Sequence, residues 1–502
     1  MRVLQKRRNN MTRFFLLLIL SFVFKFAHAQ DKRLALDRYF SALNKAGQFN
    51  GNVLVAENGK AIYERSFGYA DFSAKKLNTK NTAFAVASIT KTFTSTAILQ
   101  LHEKGKLNIN DPLIKYLPDF PYPGITLKQL LSHTSRIPSR AFYSFLDSVR
   151  KIRDTFFTNN DVIPALIVMK KPLLEIGKGE RAAFAYSNLN YYLLALLIEK
   201  LSGMPYGSYI KKNIFLPAGM EHSGFSEFYF GMDKELCREQ KYRYQFSDEP
   251  DRIDTVAENA YIFKTYNFKG HGDIVSTTDD LLKYDQALYN GVLLKQSSLD
   301  LVFHAITPGL PDDSGYGLGW SIGHDSSKGK EVHHHGGGIG IEAMFIRNIY
   351  RRQTIILFDN TKNPAYDPAM NALHILNGEK IPLPKQSVAK IYGRTIVKEG
   401  ILPARRLLQK MKADTSNYLL TEDGMNVLAY QLMWNNMDDK AMEVFKTNLE
   451  LFPESWNSYD SYGEILLKMG RKNEAIKMYQ RSIELNPKNE EGKKILEKIS
   501  KQ

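Results

Sequence analysis

Three short motifs in one chain order hold the residues best suited to chemistry. They are Ser88-Ile89-Thr90-Lys91, then Tyr186-Ser187-Asn188, and last His335-Gly336-Gly337. A serine three residues ahead of a lysine on a helix puts both side chains on one face, so the amine can help carry the hydroxyl's proton. The tyrosine adds a second titratable oxygen, and the asparagine amide can bond a substrate carbonyl. A histidine followed by glycines suits a strand that a ligand approaches closely. Together these residues could transfer an acyl group through a serine without a Ser-His-Asp triad.

Positioning that chemistry requires a buried helix behind Ser88. Ile89, Phe93, Ala97 and Leu101 recur at a spacing of four and Gly105 ends the pattern, so Ser88 should open an amphipathic helix. At a helix N-terminus the dipole opposes charge on Lys91, and desolvation pushes its pKa the same way, toward a neutral amine. Ser73/Lys76 and Ser327/Lys330 share the spacing but sit in polar, loop-like surroundings. Tyr186-Ser187-Asn188 leads into an apolar helix, Leu189–Leu201, that ends at Gly203.

The run His333-His334-His335 raises the question of a metal. Adjacent strand residues face opposite ways, so only His333 and His335 could share an ion, and no further histidine–acid cluster supports one. No metal or cofactor is expected. His335 before Gly336-Gly337-Gly338 fits a substrate-facing residue whose glycines admit the ligand and offer N–H donors. Gly319-Trp320-Ser321-Ile322-Gly323 matches a nucleophile elbow, but that turn needs a following helix and Ser321 precedes a polar loop.

The 502 residues exceed one ordinary domain. Hydrophobic content of 43% and charged content of 24% permit a sizeable core. Six of the basic residues behind the net charge of +15 lie in the first 29 residues, which hold no acid, leaving +9 for the rest. No arginine stripe interleaved with aromatics occurs, which argues against nucleic-acid binding. Residues 1–29 read as a signal peptide: a basic start, an apolar run Phe14–Phe24, and Ala27-His28-Ala29 as cleavage pattern. The apolar run has eleven residues where a span needs about 20. The expectation is a periplasmic or secreted protein with no stable membrane span. Cys237 is the single cysteine, so no internal disulfide forms, and it reads as a small buried hydrophobe.

Residues 31–385 mix strand and helix signals. A hairpin is predicted at Asn58-Gly59, strands recur at Tyr316–Ile322, Glu342–Ile346 and Gln353–Phe358, and helices fill the middle. That order implies an α+β domain whose sheet is built from distant segments, with a helical subdomain beside it. After a connector at 386–417 that could be partly helical, residues 418–502 carry a period of 34: Ala429/Gly463, Ala441/Ala475, Phe445/Tyr479, Leu451/Leu485 and Pro453/Pro487. This resembles tetratricopeptide repeats over Met425–Asn489, with a capping helix after them. Such repeats could bind a protein or peptide partner, self-associate, or serve as a structural appendage.

With Leu130-Leu-Ser-His-Thr-Ser135, Ser276-Thr-Thr-Asp-Asp280 and Tyr316-Gly-Leu-Gly-Trp320 added to the three motifs, residues 35–380 resemble the penicillin-recognising serine hydrolases. The nearest branch holds class C β-lactamases, D-alanyl-D-alanine carboxypeptidases, D-amino-acid peptidases and related esterases. The resemblance implies a β-lactamase/transpeptidase-like antiparallel sheet with flanking helices. It also implies Ser88 as the acylated nucleophile, with Lys91 and Tyr186 moving protons. Asn188 would hold the substrate amide, His335 and Gly337 would line the substrate, and the N–H groups of Ser88 and Gly338 would form an oxyanion hole. His335 stands where most β-lactamases carry lysine, which disfavours β-lactam hydrolysis and favours ester or peptide-like substrates. Arg136 falls where the family phrase usually has glycine. The alternative is a peptidoglycan- or peptide-binding scaffold without catalysis, which has no need of two proton carriers.

Overall fold

The computed structural model describes residues 30–150, 157–174, 184–225, 240–241, 243–253, 266–307, 315–326 and 329–501. The segment 1–29 expected to be a leader, Cys237 and Ser327 lie outside them. The chain forms two compact units, the larger one holding Gln48–Lys241 and Asp251–Pro382.

Seven strands form the main sheet: β1 (Gly51–Glu57), β2 (Lys60–Phe67), β3 (Gly315–Tyr316), β4 (Ser321–Ser326), β5 (Gly329–Gly337), β6 (Glu342–Asn348) and β7 (Gln353–Asp359). Their order is β3-β4-β5-β6-β7-β1-β2, and every neighbouring pair is antiparallel. The first hairpin turns at Asn58 and Gly59, both with positive φ, as a two-residue turn with that sequence requires. β1 then pairs with β7, matching Leu54 to Ile356 across the whole domain. β6 and β7 are buried along their full length, so both faces of the sheet centre are covered. Ser321 lies at the start of β4 paired with His333, not on a strand–turn–helix elbow.

Helix α1 (Thr90–Glu103) runs through the interior. The expected amphipathic face is there, but the opposite face, rich in Thr and Ser, is buried as well. Local hydroxyl bonds make this possible: Thr94 Oγ1 donates to Gly270 O at 2.7 Å and Thr96 Oγ1 to Thr92 O at 2.9 Å. Helix α2 (Asn188–Ser202) stops on Gly203 in the left-handed conformation, as read from sequence. Helices α3 (Thr278–Tyr289) and α4 (Tyr366–Leu376) pack on the sheet. No helix among the described residues is long and apolar enough to cross a membrane.

The smaller unit comprises Ser41–Gly47, Tyr242–Pro250 and Leu383–Gln502. The stretch read as a partly helical connector holds two helices, α5 (Val388–Lys398) and α6 (Ile401–Ala413). Their Tyr392, Ile396, Ala404 and Leu408 share one core with Leu428, Leu432 and Phe445 of the repeats. Two repeats alone would bury too little apolar surface, and this pair supplies the missing neighbour. The repeat helices are α7 (Glu422–Trp434), α8 (Asp438–Leu451), α9 (Trp456–Lys468) and α10 (Lys472–Leu485), followed by α11 (Glu490–Ser500). Small residues sit where helices meet: a Cβ on Gly463 would lie 3.0 Å from the Tyr479 ring. Residues 243–250 join this unit from far upstream. Phe246 packs on its core, the Gln245 N–H donates to Gln431 Oε1 at 2.7 Å, and Arg394 Nε donates to Ser247 O at 3.0 Å.

Candidate active site

Ser88 lies in a tight helical turn, Ala87–Ile89, just ahead of α1. Ala87 takes φ +44°, a conformation that alanine rarely adopts, and the turn thrusts Ser88 out of an otherwise buried run. One helical turn on, Lys91 Nζ is 3.0 Å from Ser88 Oγ and donates to His271 O at 2.8 Å. Lys91 is completely buried. Desolvation holds its pKa well below the usual lysine range and outweighs the opposing pull of Asp273.

Tyr186 closes over this pair. The Lys91 ammonium position is 4.9 Å from its ring centroid, and the nearby Ser88 side chain favours its ionised form. The residue is 45% exposed, but its hydroxyl end is withdrawn and burial pushes the phenol up to about 12. His133, in left-handed backbone with φ +57°, lies against that ring, centroids 4.2 Å apart and planes tilted by 34°. Its Nδ1 accepts from the Ser187 N–H at 3.1 Å. Asn188 is the first residue of α2, and its Oδ1 is buried with no partner among the described residues.

Strand β5 corrects the register of the third motif. His335 points away from Lys91 and bonds Glu342, which also takes Lys362, and its side chain is half-exposed. Glu342 sits below the usual carboxylate range: burial raises it, but the hydrogen bonds from His335 and Lys362 together prevail. His334 is the imidazole turned inward, buried, with its Nε2 accepting from Tyr316 OH at 3.0 Å and its Nδ1 donating to His335 O at 2.7 Å. Gly336 shares its face, and a Cβ there would come within 2.2 Å of Val86 O, so only glycine lets β5 approach the Ser88 turn. The Gly338 N–H, expected to be an oxyanion donor, instead donates to Ile341 O at 3.0 Å inside the β5–β6 hairpin. Antiparallel ladders alternate, so the Gly337 N–H points to the opposite edge of β5 from β6.

Three buried imidazoles surround Lys91, and all are held neutral. Desolvation and repulsion from Lys91 push His271 down to about 3 and His133 and His334 well below the ordinary value. No permanent positive charge therefore stands on β5 at the inward position. The decoy Ser73 spends its hydroxyl on Asp71 at 2.6 Å. Sequence reading gave no role to His133, His271 or His334. For His334 a signal existed: Val332, His334 and Gly336 share one period-two face, and an apolar Val332 marks that face as the inner one.

Residues 36–378 match the Beta-lactamase family and residues 457–489 match the tetratricopeptide repeat. Penicillin-binding protein 4* of Bacillus subtilis (strain 168) is 35% identical over 372 residues, covering 72% of this chain and 80% of its own. An octameric penicillin-binding protein homologue from Pyrococcus abyssi superposes with a TM-score of 0.57 at 26% identity, over 68% of this chain and 76% of that one. D-amino acid amidase from Ochrobactrum anthropi SV3 shares the fold with a TM-score of 0.55 at 20% identity, over 70% and 98%. The fold is thus that of the β-lactamase/transpeptidase class of serine hydrolases and their homologues. The chain belongs to the β-lactamase family and carries a C-terminal tetratricopeptide repeat.

Proposed function

We propose that this protein is an exported serine hydrolase that forms an acyl-enzyme on Ser88 with ester or amide substrates. The reading rests on the contact between Ser88 Oγ and a fully buried Lys91 Nζ at 3.0 Å, with the Tyr186 ring packed beside that Nζ. Lys91, short of its proton, takes the one from Ser88 as Oγ attacks the carbonyl carbon. Tyr186, a neutral phenol, gives its proton to the leaving oxygen or nitrogen and recovers one from Lys91. Water then attacks the ester carbonyl along the reverse proton path and frees Ser88. The N–H groups of Ser88 and Gly337 stabilise the oxyanion, and Asn188 holds the acyl side chain's amide where one is present. Export rests on the 1–29 leader.

His334 supplies no fixed cation for a substrate carboxylate, which favours esters and peptide-like amides over rapid β-lactam turnover. A D-alanyl-D-alanine carboxypeptidase or a slow β-lactamase is the second reading, favoured by the likeness to a protein named penicillin-binding. Incubation with a fluorophosphonate and a fluorescent penicillin, with adducts mapped by mass spectrometry and Ser88→Ala as control, tests both. A fluorophosphonate adduct on Ser88 alone is expected. A lasting penicillin adduct would select the carboxypeptidase, and penicillin turnover the β-lactamase. No adduct with either probe would sink the catalytic reading.

A further inference from the structure

Beside the catalytic tyrosine loop lies a cavity of about 760 Å³, between the helix Ser139–Arg150 and the helix Val162–Met169. That volume falls in the range of roughly 300–1,000 Å³ typical of small-molecule sites. Its walls are Ala141, Phe145, Val168, Met169 and Leu174, and Arg140 and Lys171 stand at them as the charged residues. Among the described residues no carboxylate lines it. Val168 is 64% exposed and Leu174 47%, an apolar surface that water covers unfavourably.

Two hydrogen bonds tie the walls of the cavity to segments beside the reaction centre. Ser139, between the lining residues Pro138 and Arg140, hydrogen-bonds the hydroxyl of Ser187, which separates Tyr186 from Asn188. At the other wall, the Leu174 N–H donates to Arg136 O at 2.9 Å, three residues beyond the His133 that lies against Tyr186. One wall therefore begins next to Asn188, the residue proposed to hold the acyl side.

We propose that this cavity receives the apolar acyl chain of the substrate, and that Arg140 and Lys171 pair with a negative charge carried at the chain's far end. The inference rests on Ser88 acylation and narrows the substrate class to anionic, medium-chain acyl esters or amides. Apolar walls favour each added methylene, and two cations with no opposing acid among the described residues favour an anion over a neutral terminus.

The test uses the full chain and two series of p-nitrophenyl esters: monoacids from acetate to decanoate, and dicarboxylic half-esters of matching length. The wild type should show kcat/KM rising at least tenfold from acetate to octanoate, with the half-esters preferred at equal length. Ala141→Trp and, independently, the exposed Val168→Trp should flatten the length dependence and leave acetate turnover unchanged. The pair Arg140→Glu and Lys171→Glu should reverse the preference for the half-esters. A flat length dependence in the wild type, or one that both tryptophan variants leave intact, would overturn the proposal. Failure of the underlying reading looks different: no ester turns over, acetate included, and no fluorophosphonate adduct forms. Calorimetry of suberate with the Ser88→Ala protein then decides the cavity by itself. Binding that Val168→Trp abolishes supports it, and absence of binding overturns it.

Discussion

The imidazole of His133 lies against the phenol of Tyr186, ring centroids 4.2 Å apart, and the same imidazole accepts the N–H of Ser187. One buried side chain thus fixes both the ring and the backbone of the tyrosine loop. His133→Ala should lower the rate of Ser88 labelling by about 10²-fold, the scale on which a small misplacement acts. His133→Asn, which can still accept from Ser187, should fall between it and the wild type. Labelling of His133→Ala at the wild-type rate would show that Tyr186 is held by other contacts.

Lys91 must be neutral to accept a proton, and burial holds its pKa well below the usual value of about 10.4. Labelling of Ser88 by fluorophosphonate should therefore rise with pH through that lowered value and level off well short of pH 10. A rise centred at the ordinary lysine value would contradict the role. Lys91→Ala should cost about 10²- to 10⁴-fold at the plateau.

The same shift has a stability side. The unfolded chain binds a proton that buried Lys91 refuses, so the stability linked to this group is full above the unfolded pKa and is lost as pH falls toward the folded one. Denaturant midpoints of the wild type should consequently gain on those of Lys91→Met between pH 7 and 9.5. Parallel curves for the two proteins would refute this.

His334 and His335 should separate cleanly. His334→Ala removes the acceptor for Tyr316 and loosens β5 beside Ser88, so labelling should slow about tenfold or more. His335→Ala removes a half-exposed partner of Glu342 and should leave labelling within about twofold, as surface ion pairs contribute little. Labelling rates of the two variants, measured side by side, check the register; the reverse order would restore His335 as the inward residue.

Arg136 holds φ +61°, which costs a non-glycine residue roughly 1–2 kcal/mol. The bond it offers is a backbone one, from its carbonyl to the Leu174 N–H. Arg136→Gly keeps that bond, relieves the strain and returns part of the gain as chain entropy. A net stabilisation of about 1 kcal/mol is expected in thermal or denaturant unfolding, and destabilisation would mean that the guanidinium matters more than the backbone.

Much of the large unit was legible in the sequence because its signals are local or strongly patterned. The Asn58-Gly59 turn, the Gly203 stop and the apolar strands β6 and β7 each announce themselves. The spacing of Ser88 and Lys91 foretold their contact, since one helical turn fixes it. Register was harder. Three successive histidines offer no chemical contrast, and a slip of one residue exchanges the faces of a strand, so His335 and Gly338 stood in for His334 and Gly337. The aromatic packing of His133 on Tyr186 joins residues far apart in the chain and leaves no periodic trace. That α5 and α6 belong to the repeat core is not legible because they lack the repeat's period, though Tyr392, Ile396, Ala404 and Leu408 are as buried as the repeats' own core.

The excursion at 243–250 makes the smaller unit discontinuous along the chain. It cannot be cut away at a single point as an added cassette can. A chain stopped at Pro382 would keep Phe246 but lose the core it packs on, and would leave Ser247 O and the Gln245 N–H without Arg394 and Gln431. Recombination that swaps or deletes the C-terminal repeats would therefore have to remodel a loop more than a hundred residues upstream. The repeat unit therefore depends on residues from both sides of the cut.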